Sequence, residues 1–151
     1  MGYVEEIRKL VGHTPLILVG AVVLVLDGKG NILLQQRTEP HGKWGLLGGL
    51  MELGESPEDT ARREVFEEAG IDVGRLRLID VFSGKNYFVK LANGDEFQTV
   101  TIAYYTTEFH GTPQNNHEEG LAVHFFPLSE LPKFIVGSHK HMIELYIRST
   151  K

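Results

Sequence analysis

The chain has 151 residues, no cysteine and a formal net charge of −5, with 42% apolar and 23% charged residues. Such a composition belongs to an ordinary globular protein, long enough for one well-filled core. It excludes disulfides, thiolate catalysis and cysteine-bound zinc, and no run of Lys and Arg is long enough for a nucleic-acid groove.

In chain order, Val4, Ile7, Leu10 and Val11 repeat at helical spacing and predict a short amphipathic helix ending at Gly12. Leu16 to Asp27 is β-branched and nearly all apolar, the pattern of a strand buried on both faces. Its apolar run is too short to span a bilayer, and the mixed charges of the first ten residues do not form a signal peptide. The expected location is therefore cytoplasmic, with no membrane partner. Asp27 to Asn31 predicts a turn, and Ile32 to Arg37 a second strand. Glu39 to Gly49, with its glycines around Trp44, reads as a loop that approaches a ligand. A helix is expected from Pro57 to Ala69, with Ser56 as N-cap, Asp59 as the reciprocal capping residue and Gly70 as terminator.

Beyond that helix, Leu76 to Phe82 alternates as a strand. Asn93-Gly94 predicts a tight turn pairing Tyr87 to Leu91 with Phe97 to Tyr105, in a long strand that runs on to Phe109. His110 to Glu119 is polar and reads as an exposed loop, followed by a strand from Leu121 to Leu128. Ser138 is placed to cap a last helix through Ile147, with Met142, Leu145 and Tyr146 facing inward. His139 and His141, two apart on that helix, read as surface residues. With no repeat and no linker, residues 1–151 are expected to form a single α/β or α+β domain, helices packed against a mixed sheet.

The concentrated chemistry lies between Gly49 and Ile71. At about 100° per residue, Glu64 and Glu68 stand about 40° apart, with Glu67 about 60° to the other side of Glu64. All three carboxylates share one stripe beside the apolar positions Ala61, Val65 and Ala69. Like charges on adjacent turns repel, and a hard divalent cation relieves that repulsion. The Gly48-Gly49 turn lets backbone approach closely, and Glu55 lies at the same end. A solvated acidic helix face is the alternative reading of these carboxylates.

The spacing is Gly49, five residues, Glu55, seven residues, Arg63-Glu64-Val65, one residue, Glu67-Glu68, one residue, Gly70-Ile71. It resembles the Nudix box of the MutT-like Nudix hydrolases, without gap or mismatch. The resemblance implies an α/β/α sandwich around a mixed sheet. It also implies Mg2+-dependent hydrolysis, with Mn2+ a possible substitute, of a pyrophosphate linkage in a nucleoside diphosphate derivative. By position, it makes Glu64 and Glu68 the main metal ligands and Glu67 a further ligand or the base. Gly49 would contribute a carbonyl, Glu55 would assist through water, and Arg63 would orient the glutamates. Family members place the base either in the box or in a later loop, where Glu118 and Glu119 are the candidates here; surface charge is their other reading.

Arg37 resembles a phosphate-binding position of the family and otherwise reads as a strand-end surface residue. Trp44 could stack on a base or pack beneath its loop. Leu47 stands where many relatives have Pro. Tyr87, sixteen residues beyond Ile71, resembles a marker of dinucleoside polyphosphate hydrolases, although a hairpin tyrosine also serves cross-strand packing. The expected partner is a small nucleotide and not a nucleic-acid polymer, for a monomer or homodimer. ADP-ribose-like compounds, dinucleoside polyphosphates and oxidised nucleoside triphosphates are the candidate substrates. A nucleotide-sensing module is the non-enzymatic alternative, set against the complete set of box glutamates.

Overall fold

A computed structural model describes residues 2–115 and 120–150. The elements in chain order are α1 (Tyr3–Val11), β1 (Leu16–Val25), β2 (Asn31–Arg37), β3 (Trp44–Gly45), β4 (Leu47–Leu50) and α2 (Pro57–Ala69). They continue with β5 (Asp72–Val73), β6 (Arg77–Phe82), a 3-10 turn (Lys85–Tyr87), β7 (Phe88–Lys90), β8 (Glu96–Thr106), β9 (Phe109–His110), β10 (Gly120–Pro127) and α3 (Gly137–Ser149).

β1 is the axis of the fold. It pairs in parallel with β8 along its whole length and antiparallel with β4 over its second half, giving a mixed sheet in the order β4-β1-β8-β6 with β7 also on β8. A second sheet runs β10-β2-β3, and β5 pairs with β9. β1 is apolar throughout because both of its faces are covered. Ala21, Val23 and Val25 pack with Ala61, Val65 and Ala69 of α2, whereas Val22, Leu24 and Leu26 pack with Met142 and Ile143 of α3. The alternation of a strand thus divides the core into two layers, a helix on each side of the sheet. Each fully buried aliphatic side chain contributes about 1.5–3 kcal/mol toward that arrangement.

Between β1 and β2, Asp27 accepts from the N–H groups of Lys29 and Asn31, and Gly28 and Gly30 take positive φ (80° and 84°). After this turn β2 leaves the β1 sheet, with one isolated bridge at Leu26–Ile32, and pairs with β10 and β3 instead.

α2 forms over Pro57–Ala69 as expected, with the Ser56–Asp59 capping box present and Gly70 left-handed at φ 70°. The α1 helix also ends at Gly12, and the hairpin turn at Asn93-Gly94 joins β7 to β8. Other expectations need correction. Residues 47–50 are not loop but strand β4, because the free edge of β1 at Gly20–Val23 offers a ladder for them. Gly48 has φ 155° there, and a Cβ on it would collide with the Ala21 carbonyl, so glycine is required. The long strand stops at Thr106, and Phe109 and His110 turn away to pair with Val73 and Asp72. Tyr87 lies in the 3-10 turn before β7 and not in the strand. Ser138 does not cap α3; Val136 precedes the helix, and its own N–H donates to the Trp44 carbonyl at 2.8 Å. No helix among the described residues is long and apolar enough to cross a membrane.

Candidate functional site

The carboxylates of α2 stand over the glycines of β4, and this follows from how the helix is seated. Ala61, Val65 and Ala69 are fully buried against the sheet, which directs the neighbouring stripe of Glu64 and Glu68 to the rim of that contact. Glu68 Oε1 accepts the Gly48 N–H at 2.9 Å. The Glu64 carboxylate fills the space a side chain at Gly49 would need, so no Cβ fits there without displacing it. The two predicted metal ligands therefore converge on the Gly48–Gly49 pair.

Arg63 organises the rest. Its Nε and Nη2 donate to the two oxygens of Glu55 at 2.6 and 2.9 Å, a bidentate pair, and its Nη1 donates to Glu64 Oε1 at 2.9 Å and more loosely to Glu67 Oε2 at 3.4 Å. Nη2 also donates to the Leu50 carbonyl at 3.1 Å, which ties the helix to the end of β4. The Arg63 hydrogen bonds, joined by the Glu52 N–H and the Thr60 hydroxyl, bring the Glu55 carboxyl down to about 2 against the cost of its burial. The paired carboxylates hold the guanidinium still further above its already high value. Side-chain exposure grades the cluster: Glu64 is 15% exposed and Glu67 45%.

Among the described residues, no three acidic, histidine or cysteine groups lie close enough together to hold a metal ion as they stand. The donor set nevertheless fits a hard divalent cation. Glu64 and Glu68 border the glycines, and Glu67 is more exposed and held by a long bond from Arg63.

The other predicted residues lie elsewhere. Arg37 is not a surface residue: its Nε is buried, and it approaches Gly45 from the side where His139 also sits. A Cβ on Gly45 would come within 2.9 Å of both Arg37 Nε and His139 Nδ1. His139 itself corrects the expectation of a surface histidine. It is 8% exposed, and its Nδ1 accepts the Leu46 N–H at 3.0 Å. Burial, with a smaller contribution from the Arg37 charge, lowers its pKa to about 3, so the ring is neutral. Trp44 packs edge-on to Phe126, with ring centroids 4.7 Å apart, in the α3 layer. Tyr87 packs against Phe82 in the same layer, and burial raises its phenol pKa. Neither is gathered to the box. Glu118 and Glu119 lie outside the described residues.

Residue-by-residue reading missed Glu52, Thr60 and His139. Thr60 carried a usable signal, since it lies five residues after Glu55 at the first turn of α2 and binds it at 3.0 Å. Glu52 and His139 carried none, because their partners lie 49 and 93 residues away.

Comparison with known proteins agrees with this geometry. The NUDIX domain family matches residues 17–146. The chain is 44% identical over 57 residues to the human mitochondrial NAD(P)H pyrophosphatase NUDT13, covering 38% of this chain but only 16% of that protein. It is 30% identical over 112 residues to the mouse oxidized purine nucleoside triphosphate hydrolase, covering 74% of this chain and 67% of that one. Among solved structures, a MutT NUDIX hydrolase from Burkholderia pseudomallei superposes with a TM-score of 0.73 at 28% identity, covering 85% of this chain and 97% of that one. Helices on both faces of a mixed sheet, the unbroken box and a match from residue 17 to residue 146 lead to one conclusion: the chain belongs to the Nudix hydrolase family.

Proposed function

We propose that this protein hydrolyses a pyrophosphate linkage in a nucleoside diphosphate derivative, as a single domain of residues 1–151 acting in the cytoplasm with Mg2+, for which Mn2+ can substitute. The observation that carries this reading is the Arg63-pinned carboxylate group over Gly48 and Gly49. Glu64 and Glu68 would be the ligands, with Glu67 completing the set and Gly49 offering its carbonyl. A bound divalent cation supplies charge neutralisation at the phosphates and lowers the pKa of water.

The chain's own groups do the rest. Arg63 keeps Glu64 in place and holds Glu55 ionised, so that the loop before α2 enters the reaction already ordered. Gly48 and Gly49 make room for the Ala21 backbone and the Glu64 carboxylate, which seats the glutamates directly against β4. Water oxygen bonds to one phosphorus as the bond from that phosphorus to the bridging oxygen breaks, and a carboxylate takes the proton. Glu67 is the base candidate within the box; Glu118 and Glu119 are those outside it. Arg37 is the candidate for a phosphate contact.

The relatives are named for different substrates, NAD(P)H in one and oxidised purine nucleoside triphosphates in another. The substrate is accordingly given as a class. The test is a panel of NADH, ADP-ribose, an oxidised purine nucleoside triphosphate and a dinucleoside polyphosphate, with Mg2+ and with products identified by mass spectrometry. Cleavage of a phosphoric anhydride is expected. Binding without turnover across the panel would replace the hydrolase with a nucleotide sensor.

A further inference from the structure

Helix α1 lies outside the stretch that matches the family, yet it is bonded directly to the loop that leads into the box helix. Its N-cap residue, Gly2, provides no side-chain cap. The first-turn N–H groups of a helix need acceptors from elsewhere. Here the Tyr3 N–H donates to Glu52 Oε1 at 2.7 Å, a carboxylate set on the positive end of the helix from 49 residues away. Glycine at position 2 permits this approach, since a Cβ there would come 2.8 Å from Glu52 Oε2. The far end of α1 is fixed as well. Arg8 donates to the carbonyls of Gly12, Thr14 and Glu96 at 2.9, 2.7 and 2.7 Å, and its Nε lies 3.7 Å from Asp95. α1 is thus fastened at one end to the start of β8 and at the other to the box loop.

From Glu52 the bonds continue without a break into the candidate site. The Glu52 N–H donates to Glu55 Oε1 at 2.9 Å, Glu55 receives both Nε and Nη2 of Arg63, and Arg63 Nη1 reaches Glu64. Side chain and backbone of Glu52 therefore act in opposite directions, one holding α1 and the other holding Glu55. We propose that Glu52 is a positioning residue through which α1 clamps the loop of residues 50–55 and so keeps the Glu55–Arg63–Glu64 group in register for its cation. This rests on the metal-site reading above, but the clamp itself is a matter of backbone order and is measurable without any cation.

The test compares wild type, Glu52→Ala, Glu52→Gln and Gly2→Val as full-length chains. Hydrogen–deuterium exchange is followed over residues 50–55, and Mn2+ affinity by calorimetry. Glu52→Ala is expected to accelerate exchange in that loop and to weaken Mn2+ binding about tenfold, the scale of losing an outer support of a metal site. Glu52→Gln, whose amide oxygen still accepts the Tyr3 N–H, should restore both. Gly2→Val, which crowds Glu52 from the helix side and leaves the box untouched, should move both quantities in the same direction by less. Unchanged loop exchange in Glu52→Ala would overturn the clamp. A Glu52→Gln chain that keeps wild-type loop exchange yet loses Mn2+ affinity as much as Glu52→Ala would overturn it too, by showing that the charge of Glu52 serves as a ligand. If wild type binds no Mn2+, the metal reading fails, while the exchange comparison still decides the clamp.

Discussion

Two arginines organise different regions of this molecule, in contrasting surroundings. Arg63 is partly open to solvent, donates to three carboxylates and has its partners between Leu50 and Glu67. Arg37 has a buried Nε beside Gly45 of the neighbouring strand and the neutral ring of His139, which arrives from the far end of the chain on α3. The first region is a charge network at the rim of the sheet, the second a corner in which an imidazole is buried. An ion-pair network tolerates rotamer changes and can exchange an arginine for a cation. A buried imidazole that accepts a backbone N–H cannot gain a proton without losing that bond.

The sharpest way to break the comparison is at Glu68. Glu68→Gln keeps an acceptor for the Gly48 N–H but removes the charge, so fold and melting temperature should stay and Mg2+-dependent turnover should fall at least about a hundredfold. Retained turnover would take Glu68 out of the metal site.

The second region predicts a pH effect on stability. His139 has a folded pKa of about 3 against an ordinary 6.5, so between those values the unfolded chain binds the additional proton. Stability is complete above pH 6.5 and declines as pH falls, by about 2 kcal/mol at pH 5. Denaturant melts at pH 7 and pH 5 would measure it. His139→Gln should flatten the slope, and an unchanged slope would place the origin elsewhere.

The smallest effect is expected at Trp44. As a packing residue on Phe126, Trp44→Phe should lower stability by about 1 kcal/mol and leave KM within about twofold. A large rise in KM at unchanged kcat would return Trp44 to the substrate site.

The box region was almost wholly legible from the sequence. Capping, helix faces and the reach of Arg63 depend on residues within two or three turns of one another, and spacing along the chain is then spacing in space. The hydrophobic strands were legible too, although their ends were less so: β4 exists because β1 offers it an edge, and β8 stops because Phe109 finds β5. His139 illustrates the limit. Nothing in Ser-His-Lys-His distinguishes the first histidine from the second, yet one is buried against Leu46 and the other meets only the edge of Phe82.

The sequence by itself determined the family, through its resemblance to the unbroken box, and the helix that carries the glutamates, because capping and helix faces depend on neighbouring residues. Only the tertiary structure decided that Arg37 shares a buried corner with a neutral histidine, that Trp44 and Tyr87 belong to the α3 layer, and that α1 is tied to the box through Glu52. Each of those depends on a contact between residues far apart in the chain, and the fold alone sets which such residues meet.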